Sequence, residues 1–149
     1  MTRILIVEDS AAMRAYVRSA LEDPAMSLPE EIEIMEAANG LSALRLLPRG
    51  RFDLVITDIN MPDVNGLELI RFMRQNPRYE HIGLLIISTQ ASERDIERGL
   101  ALGADRFLPK PFTPESLRET VSEILLELSS GPVTDEMVEP LDRGDEVQG

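Results

Sequence analysis

Five short apolar runs recur along the chain, separated by segments whose apolar residues fall at helical spacing. The runs are Ile4–Val7 (ILIV), Ile32–Ala37 (IEIMEA), Phe52–Thr57 (FDLVIT), Leu84–Ile87 (LLII) and Phe107–Leu108 with its flanks. The first, third and fourth are nearly continuous and rich in β-branched residues, as strands covered on both faces of a parallel sheet should be. The second alternates apolar with acidic residues, which predicts an edge strand with one wet face. Between the runs, Met13, Val17, Ala20 and Leu21 share one face of a helix beginning near Ser10. A short helix is predicted at about Leu41–Leu47, a third after Gly66 with Leu67, Ile70 and Met73, and a fourth marked by Ile96 and Leu100. The clearest stripe is Leu117, Val121, Ile124, Leu125 and Leu128, opened by Thr113 as N-cap and Pro114 at the first helical position. This alternation predicts an α/β fold, a sheet with helices on both faces.

Composition narrows the picture. The 149 residues suffice for one domain with a core and are few for two. No apolar run approaches bilayer length, and the start, MTRILIVEDS, lacks the long apolar region of a signal peptide. With no cysteine there is neither a disulfide framework nor a thiolate metal site, so a cytoplasmic setting is expected. The net charge of −12 argues against nucleic acid as a partner. That charge is uneven. Residues 129–149 hold six acids and one Arg, a net −5, leaving −7 for residues 1–128. The expected division is a domain over 1–128 and an acidic, flexible tail over 129–149.

In an open parallel sheet, ligands bind at the carboxyl ends of the strands. Glu8 and Asp9 follow the first run, Asp58 the third, Ser88 and Thr89 the fourth, and Lys110 the fifth. The edge run ends in a plain turn. Three carboxylates brought together would repel one another unless a cation neutralised them. Lys110 supplies a single charge, so a hard divalent cation is the natural remedy, and Mg²⁺ suits a site of few carboxylates, waters and phosphate oxygens. Carboxylates, Mg²⁺, a hydroxyl and a lysine form a phosphoryl-handling set. Within it Asp58, on the middle run, is the candidate nucleophile. Lys110 is also the chain's only lysine, the other 14 cationic side chains being Arg.

The stretches LIVEDSAAMR, DLVITDINMPDVNGLEL, LLIIST and GADRFLPKPF resemble the receiver domain of two-component response regulators, in particular the single-domain, CheY-like type. The resemblance covers roughly residues 3–128. It implies a five-stranded parallel sheet in the order 2-1-3-4-5 flanked by five helices. It also implies a stand-alone receiver in a phosphorelay, with chemotaxis or motility as a candidate pathway. In such a protein Asp58 would accept the phosphoryl group. Mg²⁺ would be held by Asp9, Asp58 and the main-chain carbonyl of Asn60, with Glu8 acting through water. Ser88 and Lys110 would contact phosphoryl oxygens, and the Lys110–Pro111 bond would be cis. Ser88 and Phe107 would form the switch, and Pro62 and Gly66 would shape the loop after the acceptor strand. The implied partners are a histidine kinase or phosphotransfer protein as donor, and a protein target on the face of the fourth helix, fifth strand and fifth helix. Neither nucleic acid nor membrane insertion is implied, and catalysis would be limited to the protein's own phosphoryl group.

Departures from the family pattern are Glu8, where many members have Asp, and Thr89, whose bulk could narrow access to Asp58. Gln90 and Asn60 occupy positions that tune phosphoryl lifetime. Two other readings compete. A phosphorylation-independent adaptor on this fold would usually have lost an acid or the lysine, and this chain keeps them. A hydrolase of the haloacid dehalogenase type needs a second carboxylate at position 60, which is Asn. His81, the sole histidine, is expected to be a surface loop residue rather than a relay group. A DNA-binding regulator is not expected, since no second domain follows residue 128.

Overall fold

A computed structural model describes residues 1–26, 31–61, 64–89 and 93–129, with two-residue strands at 143–144 and 146–147. The central sheet is built from β1 (Thr2–Val7), β2 (Ile32–Ala37), β3 (Leu54–Asp58), β4 (Gly83–Ser88) and β5 (Arg106–Pro109). All neighbours are parallel, in the order β2-β1-β3-β4-β5. The helices are α1 (Ala11–Glu22), α2 (Gly40–Leu46, continued by a 3-10 turn over Leu47–Arg49), α3 (Gly66–Gln75), α4 (Glu93–Leu102) and α5 (Pro114–Ser129).

The two-residue period of the strands divides the interior into two cores. On β1, Ile4 and Ile6 join Val17, Leu21, Val121 and Ile124, which come from α1 and α5. Leu5 and Val7 join Ala43, Leu69, Ile70 and Met73 on the opposite face, under α2 and α3. Both cores are closed by the apolar residues of β3 and β4, every one of which is buried. β2 is the wet edge, with Glu33 and Glu36 exposed.

Local chemistry sets the helix starts. The Ser10 hydroxyl accepts from the Met13 N–H, the Asn65 and Glu68 side chains form a reciprocal capping box on α3, and the Thr113 hydroxyl accepts from the Ser116 N–H. Three expectations need correction. The third strand runs from Leu54 to Asp58 rather than from Phe52; Phe52 is buried but lies before the ladder. Leu100 does not face the core: it is exposed, and the one buried residue of α4 is Gly99. An ideal Cβ on Gly99 would fall 2.4 Å from the terminal methyl of Ile86, so α4 approaches β4 closely at this glycine and a larger residue would have to displace that methyl. Leu128 is likewise exposed, at the end of the α5 stripe. The expected flexible tail lies outside the described residues, apart from the two short strands.

Candidate functional site

The strand ladders bring the polar ends level. Val7 pairs with Thr57, so Glu8 and Asp58 come next on adjacent strands. Asp58 pairs with Ile87, one residue before Ser88, and Ser88 pairs with Pro109, one residue before Lys110. One carboxylate oxygen each from Glu8, Asp9 and Asp58 lies within 4.8 Å of the others, a group that could hold a metal ion. Glu8 and Asp58 are buried and Asp9 is exposed, which leaves the cluster open to solvent on one side.

Lys110 closes the cluster. Its ammonium donates to Glu8 Oε1 at 2.6 Å and to Asp58 Oδ2 at 3.1 Å. The Lys110 N–H donates to the Ser88 carbonyl at 2.9 Å, which anchors its backbone to the end of β4. The Lys110–Pro111 bond is cis. Burial works against the ammonium, but the Glu8 hydrogen bond and the Asp58 charge outweigh it and raise its pKa above the ordinary lysine value. Burial pushes the Glu8 carboxyl up as well, against the opposing pull of Lys110.

Asp58 is held by the main chain. Its Oδ1 accepts from the Ile59 N–H at 2.7 Å and from the Asn60 N–H at 3.4 Å. The Thr57 hydroxyl, fully buried, donates to the Asp58 carbonyl at 2.9 Å. Helix α3 begins directly above: an ideal Cβ on Gly66 would lie 2.1 Å from the Asp58 carbonyl oxygen, so this close approach admits only glycine. The Glu8 carboxylate also accepts from the Ser10 N–H at 2.9 Å, tying the acid pair to the start of α1.

Three carboxylates meet one ammonium here. The surplus of negative charge is what a divalent cation would offset, and the all-oxygen donor set is that of a hard ion. Glu8, Asp9, Asp58 and Lys110 are thus brought together as the sequence suggests. Ser88 is fully buried at the end of β4. The Asn60 side chain is exposed, and Phe107 is half-buried against the core shared by α3 and α4. Thr89 and His81 are exposed. Pro62 and Gln90 lie outside the described residues. Two supporting residues escaped the sequence reading. One is Thr57, a strand residue like any other by pattern. The other is Arg14, whose guanidinium donates to the Glu8 carbonyl at 2.7 Å and to Glu36 at 3.0 Å. Its position one turn into α1, beside the acidic pair, was the available signal.

A family model for the response regulator receiver domain matches residues 4–122. The chain belongs to the response regulator receiver family. Chemotaxis protein CheY-3 of Vibrio cholerae serotype O1 is 34% identical over 122 residues, which is 82% of this chain and 90% of that protein. The solved structure of chemotaxis response regulator CheY4 of Vibrio cholerae superposes with a TM-score of 0.74 at 34% identity, covering 83% of this chain and 98% of that one. The Mn²⁺-bound form of response regulator Rcp1 gives 0.70 at 26% identity, covering 90% and 98%. This receiver has the CheY-like sheet order, and its acidic cluster fits metal binding and phosphorylation. Among the described residues, no helix is long and apolar enough to cross a membrane.

Proposed function

We propose that this receiver takes a phosphoryl group onto Asp58 from the phosphohistidine of a kinase or phosphotransfer protein. The observation that carries the reading is the contact of one ammonium, that of Lys110, with two of three clustered carboxylates. In the transfer, an Asp58 carboxylate oxygen attacks phosphorus as the donor N–P bond breaks, and the imidazole leaves with the electron pair. Lys110, already beside Asp58 Oδ2, turns to a phosphoryl oxygen, and the Ser88 hydroxyl donates to another. Glu8, Asp9, Asp58 and the Asn60 carbonyl would hold Mg²⁺, which when bound neutralises the carboxylates and the charge developing on the phosphoryl oxygens. Water attack on phosphorus later releases inorganic phosphate and restores Asp58, so turnover is confined to the protein's own phosphoryl group. The Mn²⁺-bound state of the similar protein Rcp1 supports a divalent ion.

The domain is read as residues 1–128, with 129–149 an acidic extension, acting in the cytoplasm as a stand-alone regulator. Output is by protein contact on the face of α4, β5 and α5 around Phe107, through a population shift that the phosphoryl group drives by favouring one arrangement. The likeness to chemotaxis proteins makes motility the pathway to test first. Histidine kinases charged with labelled ATP should pass label to the wild type and not to an Asp58→Asn variant of normal circular dichroism. Equal labelling of the variant would overturn the reading, and an intact site that neither binds divalent metal nor accepts label would favour the adaptor.

A further inference from the structure

Acid outnumbers base in this chain, 27 Asp and Glu against 15 Lys and Arg, so an arginine should find a carboxylate easily. Arg3, Arg14, Arg18, Arg74, Arg106 and Arg118 each do. Arg45, Arg49, Arg51, Arg71, Arg78, Arg94 and Arg98 make no ion pair among the described residues. Four of these, Arg45, Arg49, Arg51 and Arg78, line two shallow clefts. The first, of about 280 Å³, is formed on α2 by Ser42, Arg45, Leu46 and Arg49. The second, of about 260 Å³, begins at the next residue, Gly50. Arg51, Arg78 and His81 are exposed around it, over the buried Phe52, Tyr79 and Ile82. The Arg78 guanidinium lies 5.4 Å from the Tyr79 ring centroid. Neither lining includes a carboxylate among the described residues.

An exposed cationic corner over an apolar floor suits an extended segment that mixes acids with apolar side chains. Residues 131–149 of the chain have that chemistry: six acids interleaved with Val133, Met137, Val138, Leu141 and Val147. Their point of departure is also in place. Leu128, one residue before the end of α5, lines a cavity of about 480 Å³ that shares His81 and Ile82 with the second cleft. Asp53, Glu80 and Asp105 rim that connecting cavity and would repel acid. Residues 130–134, however, are Ser, Gly, Pro, Val and Thr, and the first acid is Asp135. The uncharged lead can pass the acidic rim before the first acid is reached. Twenty extended residues span about 70 Å, several times the roughly 13 Å radius of gyration of a 100-residue domain.

We propose that residues 131–149 dock in cis on this corner, their acids on Arg51, Arg78, Arg49 and Arg45 and their apolar side chains toward the floor. The inference stands apart from phosphorylation. Each exposed pair is weak, but the tether places the acids at millimolar effective concentration. The contact is salt-sensitive, because the Debye length falls from about 30 Å at 0.01 M to about 3 Å at 1 M.

The absence of cysteine allows a direct test. The full chain carrying Val138→Cys is labelled with a nitroxide and its backbone amides are observed by NMR. At low salt the amide signals of Arg49, Arg51, Arg78 and His81 should be lost, and they should return at 1 M NaCl or in an Arg49→Glu/Arg51→Glu background with the remaining spectrum unchanged. Loss that persists in that background, or no loss at low salt, overturns the proposal. A mixture of isotope-free labelled chain with isotope-enriched unlabelled chain must leave these signals intact. Their loss there would assign the corner to the tail of a second copy and overturn docking in cis.

Discussion

The two ends of the sheet handle buried charge in opposite ways. At the amino ends of the strands, the Arg74 guanidinium donates to the carbonyls of Gly103 (2.9 Å), Glu80 (2.7 Å) and Ile82 (2.7 Å) and to Asp105 Oδ2 (3.2 Å). Asp105 in turn accepts from the Leu84 N–H at 2.7 Å. Burial pushes the Arg74 pKa down without threatening its charge at neutral pH. Four of the five N–H groups of the planar fork meet an acceptor. At the carboxyl ends, Lys110 faces a cluster of three carboxylates and touches two of them. The first end ties its cation to main-chain carbonyls and one carboxylate; the second leaves three clustered carboxylates to a single ammonium. The difference accounts for the side chains used. A guanidinium fits a constellation that never moves, whereas an ammonium on a four-carbon stem can follow a charge that shifts.

Removing the fork should give the largest effect on the fold. Arg74→Met strands three carbonyls and Asp105, and should cost roughly 2–3 kcal/mol, read as a lower urea midpoint, with phosphoryl acceptance at Asp58 retained. An unchanged midpoint would mean the hub is not structural. At the other end, Asp9→Ala should weaken Mg²⁺ binding at least about tenfold, about 1.4 kcal/mol, in a calorimetric titration. The metal-free protein should unfold no earlier than wild type, because one repelling carboxylate is gone. Equal affinity for the two proteins would sink the metal assignment.

Exchanging the two cations sharpens the contrast further. Arg74→Lys should lose about 1–2 kcal/mol of stability, since one ammonium cannot reach all four acceptors, and leave signalling untouched. Lys110→Arg should keep the fold and part of phosphoryl acceptance, yet lose the phosphorylation-dependent gain in partner affinity. If both properties survive in Lys110→Arg, the single lysine carries no special role. The smallest effect concerns the edge. Hydrogen bonds from Arg18 and then Arg14 lower the Glu36 pKa, against the opposing effect of burial. Its stabilisation is therefore fully present above the ordinary carboxylate pKa of about 4.3 and fades as pH falls through the lowered folded value. With a partly exposed group the gain is about 0.2–1 kcal/mol, and Glu36→Gln should flatten the acid limb of the stability profile by that amount.

The chain made one of these two ends legible in advance. Glu8, Asp9, Asp58 and Lys110 each follow an apolar run, and parallel strands deliver such residues to one edge, so periodicity alone assembled the site. The Arg74 hub was invisible for a corresponding reason. Three of its acceptors are main-chain carbonyls, and no side-chain pattern records where a turn will aim a carbonyl. The same holds for Arg14, which reaches the Glu8 backbone. Helix α4 misled because Ile96 and Leu100 have core spacing, while the helix lies against the sheet through Gly99, a residue that hydrophobic patterning counts as neutral.

That glycine seat has a consequence for the lifetime of structure in the molecule. α3 buries Gly66, Leu69, Ile70 and Met73, whereas α4, equally long at 10 residues, buries Gly99 alone. Little apolar surface is surrendered to water when α4 lifts or frays, so its opening draws on far less free energy than global unfolding. Deuterium should therefore enter the amides of α4 well before those of α3, and a signal that needs one element to change place has in α4 the element that the core holds least.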